Sequence, residues 1–123
     1  HPYYPAEACR EFCDAHDIKL QCWFPLGHGS QELLNDPVVV ELAKAHDRTS
    51  AQIVLRWHVQ MGFIPMPGSR SEGHIAENAK IFDFSLTEEE MQKMAGINRH
   101  TPFYKVTPES LARLATTKCN FEE

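Results

Sequence analysis

The chain has 123 residues, 42% of them hydrophobic and 24% charged, proportions of a globular domain and too few residues for two such domains. Twelve Lys and Arg against seventeen Asp and Glu leave a net charge of −5, which argues against a general attraction to nucleic-acid phosphate or anionic lipid, so any anion site must be local. No apolar run approaches the ~18 residues of a membrane span, and the charged opening HPYYPAEACREFCDAHD does not read as a signal peptide, so a cytoplasmic location is expected.

Residues 5–16 read as an amphipathic helix that turns Cys9, Phe12 and Cys13 toward a core. Cys9, Cys13 and His16 stand at i, i+4 and i+7, a spacing that would also suit metal ligands. Phe12 shares that face and thiols pack as small hydrophobes, so burial explains the spacing and no metal site is assigned. The cysteines at 9, 13, 22 and 119 contain no C-x-x-C pair and read as reduced thiols. Residues 18–24 (IKLQCWF) follow as a strand stopped by Pro25, Leu26 and Gly27, and a loop of βα type comes next. Asp36 as N-cap and Pro37 at the first helical position open a helix over residues 37–46, with Val38, Val39, Leu42 and Ala43 as its buried stripe.

Thr49 and Gln52 form a capping box for a helix through Ile53, Val54, Trp57 and Met61 that Gly62 ends. Leu55 and Val59 lie on another side, so this helix is predicted to be buried on most of its circumference. Residues 63–66 (FIPM) are a second short strand, running into the turn-forming Pro67, Gly68, Ser69, Arg70 and Ser71. Ser71 caps a helix through Ile75, Ala79 and Phe82 that ends near Asp83. Thr87 and Glu90 form another capping box, with Leu86 and Met91 as a hydrophobic staple, for a helix over residues 88–97. Beyond Asn98 the pattern weakens, and Pro108 opens one short helix in a tail.

Two strands that start about 45 residues apart, each followed by helices, have the rhythm of an α/β protein with parallel strands. Two strands do not make a stable sheet, whereas a complete (β/α)8 TIM barrel takes ~250 residues. Part of such a barrel, incomplete in this chain, is therefore the expected fold. An opening on HPYYP without an initiator methionine adds to the expectation of a fragment.

Five segments then agree, in order, with one family: HPYYP, WFPLGHG (residues 23–29), TSAQIVLRWHVQMGFIP, PGSRSEGHIAEN and IFDFSLTEEEMQKMAGIN. Over residues 1–103 the chain resembles the C-terminal portion of the aldo-keto reductases, nearest to the bacterial branch acting on small aldehydes and diketo sugar acids. Residues 104–123 are a tail. The resemblance implies strands 7 and 8 of the barrel, with NADPH bound at the strands' C-terminal ends and hydride passed to a carbonyl. Loops after those strands, with a nearby helix N-terminus, commonly hold phosphate in such barrels.

By the same resemblance, Trp23 matches the aromatic that stacks on the nicotinamide, and Phe24, Leu26 and Gly27 match positions lining the pyrophosphate. Phe24 replaces a small polar residue, leaving only a backbone contact there. Gly68, Ser69, Arg70 and His74 match the loop around the adenosine 2′-phosphate, and Glu77 and Asn78 match residues that bond the adenine amine. Many relatives carry Lys and Arg where Gly68 and His74 stand, and losing two permanent cations weakens a phosphate site unless Arg70 compensates. NADPH is thus the expected cofactor, with NADH use relatively permissive. Core packing for Trp23 and a solvated polar helix face for Glu77 and Asn78 stay open as alternatives.

The family's catalytic tyrosine, aspartate, lysine and histidine belong to the first half of its barrel, and no residue here matches them, so no catalytic residue is assigned. Phe103 and Tyr104 could line a substrate pocket or simply pack on the surface. The expected function is that of an oxidoreductase fragment: the cofactor-binding half of an NADPH-dependent reductase of aldehydes and ketones, whose partner is a small-molecule carbonyl substrate. The alternative is a non-catalytic polypeptide that binds nucleotide or associates with another chain through exposed strand edges.

Overall fold

The structure, a computed structural model, describes residues 1–28, 30–102 and 107–117. The elements are α1 (Glu7–Ala15), β1 (Gln21–Trp23), α2 (Gln31–Leu34), α3 (Pro37–Ala45), α4 (Ser50–Gln60), β2 (Ile64–Met66), α5 (Glu72–Ala79), α6 (Glu88–Gly96) and α7 (Pro108–Thr116). Four of the helix starts are where capping chemistry predicts them. Asp36 Oδ1 accepts from Val38 N at 2.9 Å, and Ser71 Oγ accepts from His74 N at 3.4 Å. Thr49 with Gln52, and Thr87 with Glu90, make complete reciprocal capping boxes.

β1 and β2 pair in parallel, with Gln21 opposite Ile64, Cys22 opposite Pro65 and Trp23 opposite Met66. Alternation sends Cys22 and Pro65 to one face, where Cys22 meets the core. The opposite face leaves Trp23 70%, Ile64 46% and Met66 52% exposed. Trp57, Leu33, Val39, Leu42, Ile53, Val54 and Met94 form the centre of the core, which α2, α3, α4 and α6 build together. α4 is the most enclosed helix, with Gln52, Ile53, Val54, Leu55, Trp57 and His58 all buried, as its apolar residues on two sides require.

A polar network ties the chain's opening segment to this core. The single proton of the buried Tyr3 hydroxyl is shared between Asp36 Oδ2 at 2.9 Å and the Glu32 carbonyl at 3.1 Å. Burial, reinforced by the hydrogen bond to Asp36, pushes the phenol up to about 12. The Arg99 guanidinium lies over the Tyr3 ring, 3.7 Å from its centroid, and pairs with Glu32. Asp36 thus caps α3 with one oxygen and anchors Tyr3 with the other.

Several expectations are corrected. α1 begins at Glu7, because Ala6 is left-handed (φ 51°) and cannot continue a right-handed helix. Cys13 is its buried residue, whereas Cys9 is exposed and Phe12 is 59% exposed, stacked on His16 with centroids 4.2 Å apart. No other described element packs over that side of α1 closely enough to bury it. β1 covers three residues rather than seven, since its ladder can run only as far as the three-residue β2. A four-residue helix, α2, stands where a loop was expected; Ser30 Oγ caps it by accepting from Leu33 N at 3.4 Å.

α5 ends at Ala79 rather than near Asp83, leaving Phe82 71% and Ile75 54% exposed. The cause is tertiary: the buried Gln52 side chain donates to the carbonyls of Glu77 at 3.1 Å and Lys80 at 3.0 Å, taking up the helix end. Gln52 also closes the α4 capping box through Oε1, which accepts from Thr49 N at 3.0 Å. Gln52→Ala is therefore expected to cost about 1–3 kcal/mol, because it unpairs several partly buried backbone groups at once. Urea unfolding of the variant measures it; an unchanged midpoint would refute the tether. Phe103 and Tyr104 lie outside the described residues, as does Cys119.

Candidate functional site

Because β1 and β2 are parallel, both strands deliver their following loops to the same end of the sheet. The first loop is a tight turn. Phe24 is left-handed (φ 50°), Gly27 has φ 69°, the Gly27 N–H donates to the Phe24 carbonyl at 2.9 Å, and Ser30 N donates to Gly27 O at 2.9 Å. A left-handed phenylalanine costs of order 1–2 kcal/mol, and the turn holds it with its ring against Trp23 (centroids 4.0 Å) and His28 (4.2 Å). The second loop runs from Pro67 to the Ser71 cap. Ser69 Oγ accepts from Ser71 N at 3.1 Å and donates to Ser71 O at 3.4 Å, so this hydroxyl braces the loop.

Between the loops lies a cleft of about 390 Å³. Leu26 lines it from the first loop, Gly68 and Ser69 from the second, and His74, Glu77 and Asn78 from α5. An adjoining cleft of about 310 Å³ shares Leu26 and Gly68 and adds Phe24, Pro25, His28 and Pro67. Six of the ten residues singled out in the sequence thus line one cleft, and a seventh, Phe24, lines its neighbour. Gly27 is buried within its turn, and Arg70 is exposed beside Ser69; neither lines these clefts. Trp23 stands on the open face of the sheet, stacked on Phe24.

Leu34, Asn35, Thr49, Ser50 and Ala51 complete the larger cleft and were not anticipated. Thr49 was legible as a cap, but that its helix start shares a cleft with Gly68, Ser69 and the α5 residues His74, Glu77 and Asn78 is a tertiary fact. The cleft is therefore bordered by the first residues of α4, a helix end whose N–H groups and dipole favour an anion, and by the side of α5 that carries His74, Glu77 and Asn78. Glu72 in the first turn of α5 opposes that field, and Arg70 is the single Lys or Arg between positions 67 and 79. A Cβ built at Gly68 would meet nothing within 4 Å, so glycine is not required there by packing and the space beside it is open. Apolar Leu26 and Leu34 face polar Asn35, Asn78, Ser69 and Glu77, a lining suited to a ligand with both a flat ring and hydrogen-bonding groups.

Glu77 and Asn78 owe their position to Gln52, which holds the last turn of α5 against α4. Among the described residues no helix is long and apolar enough to cross a membrane.

A family model described as the aldo/keto reductase family matches residues 1–99. The chain is 41% identical over 99 residues to 9,11-endoperoxide prostaglandin H2 reductase of Trypanosoma cruzi, covering 80% of this chain and 35% of that protein. It is 42% identical over 99 residues to 2,5-diketo-D-gluconic acid reductase B of a Corynebacterium, again covering 80% of this chain and 35% of that protein. Among solved structures, a mutant of Gox0644 in complex with NADPH superposes with a TM-score of 0.81 at 35% identity, covering 97% of this chain and 41% of the other. An aldo-keto reductase from a deep-sea metagenome superposes with a TM-score of 0.82 at 28% identity, covering 85% of this chain and 39% of the other. The chain spans about a third of the length of the curated relatives it matches, 35% in each of these two.

Proposed function

The chain belongs to the aldo/keto reductase family and carries part of its (β/α)8 barrel, and from that premise we propose that it forms the cofactor-holding portion of an NADPH-dependent carbonyl reductase. The observation that carries this reading is the cleft where Leu26, Gly68, Ser69, His74, Glu77 and Asn78 converge at the C-terminal ends of two parallel strands. That is where barrel enzymes keep their ligands. When bound, the dinucleotide supplies a hydride for a carbonyl carbon.

The chain's own residues have positioning roles in this reading. Trp23 offers a flat apolar surface to the nicotinamide at the end of β1. Phe24, Leu26 and Gly27 border the pyrophosphate, Phe24 through its backbone. Ser69, Arg70 and His74 meet the 2′-phosphate beside Gly68, with the α5 N-terminus adding its dipole. Glu77 and Asn78, held by Gln52, accept from and orient the adenine amine. No residue of the chain is assigned as the proton donor to the carbonyl oxygen, so the chain alone is expected to bind cofactor without turning it over.

Titration of the chain with NADPH, followed by the nicotinamide fluorescence, tests this directly. Saturable binding that competes with NADP+ is expected; its absence would count against the site, and aldehyde reduction by a homogeneous preparation would overturn the missing proton donor. Arg70→Ala should weaken NADPH about 10-fold, the size of one exposed charge-assisted contact. The same variant should leave NADH unchanged, since NADH lacks the 2′-phosphate. Equal NADPH affinity for variant and parent would remove Arg70 from the site.

The open sheet face of Trp23, Ile64 and Met66 favours a second reading, in which the chain completes its sheet against another polypeptide. Sedimentation velocity over a range of concentrations distinguishes it: a sharp monomer throughout would reject self-association.

A further inference from the structure

The cysteine pair on α1 plays no part in the cofactor reading. Cys9 and Cys13 are one helical step of four residues apart on α1, Cys9 exposed and Cys13 buried, so their side chains leave the helix on neighbouring positions of one side. Among the described residues no three His, Cys, Asp or Glu side chains converge as a metal site, which leaves a two-thiol arrangement with no third protein ligand. His16, the third member of the sequence motif, is turned away: its Nδ1 lies 2.8 Å from the Phe12 carbonyl and its ring stacks on Phe12.

Helix geometry decides what such a pair can do. Cβ atoms four residues apart on a helix are ~5–6 Å apart, wider than the ~3.5–4.5 Å a disulfide spans, so direct oxidation would have to unwind α1. A single atom bonded to both sulfurs at ~2.3 Å separates them by roughly 3.5 Å, which two cysteines at i and i+4 can supply by rotation about χ1 without moving the backbone. Soft thiolate pairs select soft, thiophilic centres. A three-coordinate centre with one organic substituent needs two sulfurs and no further protein ligand. Space for that substituent exists beside Cys9, in a cleft of about 220 Å³ between the start of α1 and the segment after α6, walled by Tyr4, Pro5, Asn98 and His100.

We propose that Cys9 and Cys13 form a dithiol site for trivalent organoarsenic compounds and chemically similar thiophilic metalloids, with the organic group seated in the cleft beside Cys9. The reaction is an exchange: two As–O bonds break and two As–S bonds form. The oxygen leaves as water carrying the two thiol protons, and arsenic stays trivalent, so no oxidant is consumed. Burial, with Cys9 adjacent, pushes the Cys13 thiol up, so Cys13 reacts slowly on its own and is brought in by attachment at Cys9.

The test uses the 123-residue chain with Cys22 and Cys119 both changed to Ser, phenylarsine oxide as probe, and intact-mass measurement of the native protein. One phenylarsenic unit per chain is expected, with both remaining thiols lost to alkylation. It should be released by 1,2-ethanedithiol but retained in the same concentration of a monothiol. Cys9→Ser, at an exposed position, should weaken capture about 100-fold, the loss of a chelate to a single attachment. Equal capture by Cys9→Ser would overturn the proposal, as would release by the monothiol or capture only after denaturation.

Discussion

Trp57→Ala is expected to cost about 3–5 kcal/mol, a loss comparable with the whole stability of a small domain. Trp57 is 2% exposed, on the most buried helix, and its ring meets His58 edge-on (centroids 4.9 Å) and Phe63 (6.1 Å). Removing it hollows the contact between α4 and the β2 end of the sheet. The consequence reaches the cleft, because α4 carries Thr49, Ser50 and Ala51 at its rim and Gln52 behind α5. Chemical denaturation of parent, Trp57→Phe and Trp57→Ala should give a graded series, Phe losing less because a ring remains. NADPH affinity should fall only as the folded fraction falls. A Trp57→Ala chain as stable as the parent would mean that α4 is not the centre of the core.

The second large effect is on acid stability. His58 is fully buried, with Nδ1 2.7 Å from the Val54 carbonyl; a carbonyl only accepts, so Nδ1 carries the proton and donates. Nε2 has no hydrogen-bond partner among the described residues. Burial, helped by the positive charge of the nearby N-terminal ammonium, lowers this imidazole to about 3 from its ordinary 6.5. The unfolded chain then binds more protons than the folded one between those values. Stability should accordingly be flat above about pH 6.5 and fall toward pH 3 by up to about 1.4 kcal/mol per pH unit.

Glu90 adds a later limb. Burial by itself would raise its carboxyl, but the Thr87 backbone N–H and His46, with Nε2 at 2.9 Å, together hold it below the usual carboxylate value. Its contribution is present above 4.5 and is lost as pH falls further. His58→Leu should therefore flatten the upper part of the acid limb and leave the Glu90 part. Urea midpoints measured from pH 7 to pH 4 check this, and identical acid limbs for parent and variant would remove His58 from the account.

The candidate cleft was legible in unequal parts. Gly68, Ser69, His74, Glu77 and Asn78 fall within one short stretch, so a family motif can mark them together, and a loop that runs directly into a capped helix keeps them close in space. Leu34, Asn35 and the α4 start carry no such mark, because they reach the cleft from another part of the chain. Phe12 failed as a core prediction for a related reason. Apolar spacing says that a face can be buried, but only a neighbouring element buries it, and over this ring none of the described elements does so enough.

What the residues determine by themselves is local and chemical. Asp36, Thr49, Ser71 and Thr87 start their helices because each cap closes a ring of hydrogen bonds within four residues, and Pro37 and Gly62 mark boundaries through their own backbone preferences. Tertiary structure alone decided the length of β1, the early end of α5 and the meeting of the two loops that follow the strands at one cleft. The first follows from how far the partner strand extends, the second from a glutamine 25 residues earlier in the chain whose amide takes the Glu77 carbonyl. The third follows from parallel pairing, which brings loops more than 40 residues apart to the same end of the sheet.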